Sequence, residues 1–231
     1  MTTERASESA LAPVSNATRR EVVVDAIRRA LLSGELVPGQ RVKEAPLADA
    51  LGVSRPTIRE AIHQLIHEGS LVQEPYKGIR VAKPSPQDLL GVAEVRVALE
   101  TLAALNLAKN PDGEGMTRLR QALQTHLDAL DSGDVVKADL THLELHRTLW
   151  EGAENPMLTR IWPLVESQIR MAMSLDQATR SDPARDADLH VRLVDVIASG
   201  DEDRIVAEVR EHIARSANEV VKLIERQPGQ L

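Results

Sequence analysis

From Val23 onward, apolar residues recur at three- and four-residue intervals through most of the chain, the period of helices with one buried face. Thr18-Arg-Arg-Glu21 has the form of a capping box and opens a helix whose apolar residues include Val23, Ile27, Ala30 and Leu31. It closes near Ser33-Gly34, and Pro38-Gly39 makes a turn. Two short helices follow, joined at Gly52: Leu47-Ala-Asp-Ala-Leu leads in, and Ser54 caps a second helix that Gly69 ends. Leu71–Glu74 and Ile79–Val81 flank Pro75-Tyr76-Lys77-Gly78, which predicts a small hairpin, or wing. Pro84-Ser85-Pro86 marks a boundary, with Ser85 as cap and Pro86 at the first helical position. The pattern beyond it is helical throughout: 86–109, 114–131, 134–152, 155–175, 184–199 and 202–226, with breaks at Asn110–Gly113, Asp131–Gly133, Asn155-Pro156, Ser181–Pro183 and Ser199–Asp201. The expected fold is mainly α, a winged helix-turn-helix over 18–83 followed by an all-α bundle over 84–228. Residues 1–17, rich in Ser, Thr and Ala, read as a disordered tail.

Composition agrees with packed helices. The 231 residues are 42% apolar but include no Phe, and Trp150, Trp162 and Tyr76 are the aromatic residues, so the core is built from Leu, Val, Ile and Ala. The absence of Cys excludes a disulfide scaffold and Cys-ligated zinc. No apolar run reaches membrane-spanning length and no export signal opens the chain, so the expected location is the bacterial cytoplasm, with no membrane partner. The net charge of −7 is unevenly spread. Residues 19–83 carry 11 Lys+Arg against 8 Asp+Glu, and residues 84–231 carry 16 against 25. A basic front and an acidic rear suit a chain in which one module alone touches phosphate.

The second helix of the pair carries the chemistry for that contact. Arg55 and Arg59 lie four apart at its front, and arginine's fork matches the O6 and N7 atoms of guanine in the major groove. Thr57 sits between them, suited to a phosphate or a thymine methyl. Lys77 and Arg80 on the wing can reach phosphates or the minor groove, and Arg41 and Lys43 can flank the backbone. The same spacing also fits solvated helix residues. His63 and His67 fall on the solvent side.

The rear module has a different signature. His142 and His146 project from one helix face, while His190 and His212 each share a face with apolar residues of their own helices. Two imidazoles from one helix and one from each of two others can build a metal site inside a bundle, with nitrogen ligands suited to a divalent transition metal such as zinc or nickel. Hydrogen-bonded core histidines would give the same pattern. His126 reads as a surface residue.

Residues 19–109 resemble the GntR family of bacterial transcription regulators. The run that carries the likeness is Pro38-Gly-Gln-Arg-Val42, Glu44, Leu47-Ala48, Leu51-Gly-Val-Ser-Arg-Pro-Thr-Ile-Arg-Glu-Ala-Ile62, Leu65 and Glu68-Gly69. Pro56-Thr-Ile58 stands where the family more often has Thr-Pro-Val, and Ala45 occupies the place of a further DNA-contacting arginine, which leaves Arg55 and Arg59 as base readers. Residues 86–226 are similar to the FCD ligand-binding domain of the FadR-like subgroup, an all-helical dimerising bundle. That resemblance implies a metal held by an Asp and three His. His146, in Leu145-His-Arg-Thr-Leu149, His190 and His212 match the three, and His142 stands at the Asp position. It further implies that Arg96 and Asn155 serve an effector; Arg96 also suits a pair with Glu100, and Asn155 a helix cap. The function expected is a homodimeric, sequence-specific DNA-binding regulator, a repressor, that reads a palindromic operator under the control of a small carboxylate at the metal pocket. The alternatives are a response to the metal itself, or a metal-dependent enzyme with a DNA-tethering domain.

Overall fold

The computed structural model describes residues 18–175 and 182–226; the tail expected at 1–17 lies outside the described residues. Helix α1 (Arg19–Leu32), strand β1 (Arg41–Val42), helices α2 (Glu44–Leu51) and α3 (Arg55–His67), and strands β2 (Leu71–Glu74) and β3 (Gly78–Val81) form the front module. Helices α4 (Pro86–Ala108), α5 (Glu114–Asp131), α6 (Val135–Gly152), α7 (Pro156–Leu175), α8 (Pro183–Ala198) and α9 (Glu202–Arg226) form the bundle. Each boundary has a local cause. Thr18 and Glu21 close a reciprocal capping box, Ser54 accepts from the Thr57 amide, and Ser85 and Asp88 form a second box ahead of Pro86.

The front module packs Val24, Ile27 and Leu31 of α1 against Ile58, Ile62 and Leu65 of α3. Its sheet has the order β1-β3-β2, antiparallel throughout, with Arg41 opposite Arg80 and Leu71 opposite Val81. Strand β1 was not expected; two residues are too few to leave an alternating pattern. At the wing tip the Lys77 amide donates to the Glu74 carbonyl at 3.2 Å, and Tyr76 takes φ 62°. This is a type II turn, with Pro75 in its preferred place and a tyrosine where glycine is usual.

In the bundle, α5 and α6 lie side by side, joined by the turn at Ser132–Asp134. They approach closely at Gly115 and Gly152: a Cβ on Gly115 would lie 3.0 Å from the Gly152 carbonyl oxygen and 2.7 Å from Leu107 Cδ1. Trp150 of α6 and Trp162 of α7, both buried, meet edge to face at 5.3 Å between centroids. Helix α7 also joins the two modules. Ile169 belongs to the bundle core, Met171 to the core of the front module, and the Ser167 hydroxyl bonds that of Ser70 at 2.7 Å. Beside this junction Glu68 accepts from Arg28 at 2.8 Å and Gln64 at 2.9 Å, and Arg170 pairs with Glu166. Among the described residues no helix is long and apolar enough to cross a membrane.

Candidate DNA interface and histidine cavity

Helix α3 presents its amino-terminal end to solvent. Arg55 is its first residue and is exposed. Arg59, one turn on, is exposed as well, and forks onto Glu44 of α2 through Nε at 3.0 Å and Nη2 at 2.8 Å. The Thr57 hydroxyl bonds Ser54 Oγ at 2.8 Å, so it is engaged with the cap. Arg41 and Lys43 are exposed beside the sheet. Lys77 is exposed with Nζ 3.6 Å from Glu74. Arg80 is half-buried: Nη1 donates to the Gly39 carbonyl at 2.9 Å and Nε lies 3.5 Å from Glu74. It braces the turn before β1 more than it reaches outward. His63 and His67 are exposed.

In the bundle, α6 brings His142 and His146, α8 brings His190 and α9 brings His212 to one place. Ring centroids lie 4.8 Å apart for His142–His146, His142–His190 and His190–His212, and 5.5 Å for His146–His212. One ligand atom from each of His142, His146 and His190 lies within 4.8 Å of the other two. The surrounding groups orient two of the rings. Glu100, fully buried, accepts from Arg96 Nε at 2.7 Å and from His146 Nδ1 at 2.9 Å. His190 Nδ1 faces its own helix carbonyl at Asp186 (2.8 Å) and Asp186 Oδ1 (3.0 Å). Both bonds leave Nε2 with its lone pair directed elsewhere. Among the described residues, His146 Nε2, His190 Nε2, His142 Nδ1 and His212 Nδ1 are buried with no hydrogen-bond partner.

Burial drives the ionisation here. Desolvation, reinforced by the neighbouring imidazoles, holds His142 and His212 well below the ordinary histidine pKa, and desolvation lowers His146 despite Glu100 beside it. Burial alone would push the Glu100 carboxyl up; Arg96 and His146 outweigh it and hold Glu100 well below the usual range. Burial thus favours the neutral form of His142, His146 and His212, the form whose nitrogen lone pairs can bind a metal, with an ionised carboxylate behind His146. This donor set fits a divalent transition metal.

The histidines border a cavity of about 60 Å³ whose wall includes Arg96, Arg185 and Arg215. Arg185 pairs with Glu219 and Arg215 with Glu211. Across His142, Met173, Asp186 and Ser216 lies a second chamber of about 210 Å³, lined by Ala129, Leu130 and Val135 among others. Two expectations for individual residues change. His126 is not a surface residue: it is fully buried on α5, in the same stripe as Met116, Leu119 and Ala129, with Nδ1 bonded to Thr141 Oγ1 at 3.1 Å. The stripe was visible in the spacing, but the polar neighbours Gln124 and Thr125 masked it. Asn155 caps α7, its Oδ1 accepting from the Met157 amide at 3.0 Å, and it is absent from the cavity wall. Asp186, missed in the sequence, sits in the first turn of α8, where an acidic residue is ordinary on dipole grounds alone.

Residues 91–215 match the FCD domain family, and residues 19–81 match the gntR family of bacterial regulatory proteins. The chain belongs to the GntR family. It is 28% identical over 193 residues to the "Probable D-xylose utilization operon transcriptional repressor" of Paenarthrobacter nicotinovorans, covering 83% of this chain and 84% of that one. It is 33% identical over 151 residues to an HTH-type transcriptional regulator from the TAR-I ttuE-ttuC' intergenic region of Agrobacterium vitis, covering 64% of this chain and 88% of the relative. The fold matches that of E. coli McbR/YncC with a TM-score of 0.76 at 18% identity, over 89% of this chain and 98% of that one. This GntR-family chain is therefore a transcriptional regulator with a DNA-binding helix-turn-helix, and not an enzyme.

Proposed function

We propose that the protein is a homodimeric, cytoplasmic repressor that reads a palindromic operator through Arg55 and Arg59 and changes its affinity when a small carboxylate enters the histidine cavity. The observation that carries this reading is the set of four buried, unpartnered imidazole nitrogens facing one cavity beside Arg96. His142, His146, His190 and His212 would hold a divalent transition metal, zinc or nickel. When bound, such an ion supplies a fixed positive charge able to take a carboxylate oxygen. Arg96 is tied to Glu100 through Nε alone, and its two Nη groups make no hydrogen bond among the described residues. They are free to grip the same carboxylate. Leu90, Val95 and Leu102 leave α4 with apolar side chains in solvent, which supports a second copy against this helix.

The signal has a short route out. Ile169, Ala172 and Met173 of α7 line the cavity, and Met171 and Ser167 of the same helix touch the front module. A ligand biases the two recognition helices only through its differential affinity for two arrangements, typically about 1–3 kcal/mol. The test is an operator titration of metal-loaded and chelated protein, with and without organic acids chosen by a thermal-shift screen. Acid-dependent change in operator affinity that requires the metal supports the reading. Change on adding metal alone, with every acid inert, would instead make the metal the signal.

A further inference from the structure

Five imidazoles meet in the bundle, one more than the four discussed above. His126 lies 5.7 Å from His142 and 5.0 Å from His190 between ring centroids. The rings therefore form two groups sharing the His142–His190 edge. His146 and His212 complete one, and His126 with the Asp186 carboxylate completes the other. His126, Asp186 and His190 each place a ligand atom within 4.8 Å of the other two.

The hydrogen bonds around His126 decide which nitrogen is available. The Thr141 hydroxyl lies 2.9 Å from the backbone carbonyls of Lys137 and Ala138 and donates there, so its oxygen accepts from His126 Nδ1. Nδ1 thus holds the ring proton, and Nε2 carries a lone pair. That Nε2 is buried, has no hydrogen-bond partner among the described residues, and stands 3.5 Å from Asp186 Oδ2. A lone pair and a carboxylate oxygen facing each other in a desolvated interior repel unless a cation lies between them. A charge-assisted hydrogen bond would close the gap to about 2.7–2.9 Å. Two ligands at about 2.0–2.2 Å from one tetrahedral zinc stand roughly 3.4 Å apart. The observed separation is that of co-ligands.

We propose that His126 Nε2 and Asp186 Oδ2 form a second cation station beside His190, whose Nδ1 donates to the Asp186 carbonyl and whose Nε2 lone pair stays with the first group, so that the cluster takes up two divalent transition metal ions per chain. The proposal rests on the reading that the other four-histidine group holds one. The second station also contains the carboxylate that the first lacks, since His142 occupies the family's Asp position. A nitrogen donor beside a carboxylate suits zinc, cobalt or nickel.

Cobalt(II) titration of the chelated full-length protein, read by its visible absorption and checked by elemental analysis, tests both assignments. Wild-type protein is expected to take two ions. His126→Gln and Asp186→Asn should each take one, as should His212→Gln, with helical content by circular dichroism reporting that each variant folds. A single ion in the wild type, lost in His212→Gln and undisturbed in His126→Gln and Asp186→Asn, overturns the second station and leaves the first reading standing. A single ion lost only in His126→Gln and Asp186→Asn keeps the station and removes the four-histidine site. No uptake by folded wild-type protein removes both.

Discussion

Arg59 already has a partner in the free protein. Its fork is filled by Glu44, and the same fork is what guanine would require. Both residues lie at the surface, where an ion pair of this kind contributes little to stability, so a base edge can displace the carboxylate cheaply. Arg59→Ala is expected to weaken operator binding by roughly 5- to 150-fold with the dimer intact, measured by fluorescence anisotropy and sedimentation. Glu44→Gln should raise affinity for operator more than for scrambled duplex, because it frees the Arg59 fork that Glu44 gates, whereas losing one carboxylate beside the phosphate backbone acts on both duplexes alike. Equal gains on both duplexes would count against a gating role for Glu44. At this scale the sequence was informative where one helix decides the outcome. Arg55, Arg59 and the four histidines lie on the faces that periodicity assigned. Asp186 was beyond it, because its meaning arises where α5, α6 and α8 converge, whereas His126 was misplaced although it shares a stripe with Met116, Leu119 and Ala129.

Helix boundaries were largely legible because caps and breakers are local chemistry. Thr18, Ser54, Ser85 and Pro86 act as their types predict, and the expected helix 202–226 coincides with α9. What spacing could not show was how closely the elements approach. Gly115 looked like an ordinary second residue of a helix; in the fold it is where α5 meets α6. Gly115→Ala places a methyl group 3.0 Å from a backbone carbonyl, so the two helices must move apart. The expected cost is about 1–3 kcal/mol of stability, read by urea denaturation, against a gain of about 0.5–1 kcal/mol for Gly91→Ala, an exposed helix-interior position where a Cβ meets open space.

Across the whole molecule, the division into a DNA-reading front and a helical rear followed from charge and period. The route between them did not. Met171 lies far along the chain from the module whose core it enters, and no local pattern marks it as a donated side chain. Truncation by Met171→Ala removes a buried contact worth about 2–5 kcal/mol and weakens the link that makes the two modules one unit. Calorimetry is expected to split a shared transition into two. Operator binding should persist while its response to the effector fades. A variant that keeps a single transition and a full response would place the coupling elsewhere, at the Ser70–Ser167 bond for example.

The tryptophan pair has an optical consequence. Trp150 follows His146 by one turn of α6 and packs against Trp162 of α7, and these are the chain's two tryptophans. All indole fluorescence therefore originates inside the bundle, within one helical turn of a candidate ligand, and none originates from the DNA-reading front. Open-shell ions such as cobalt(II) or nickel(II) entering the cavity should quench that emission, while zinc(II), with its filled shell, should leave it bright. The protein thus contains its own unlabelled gauge of what occupies the histidine cluster, readable while it sits on DNA.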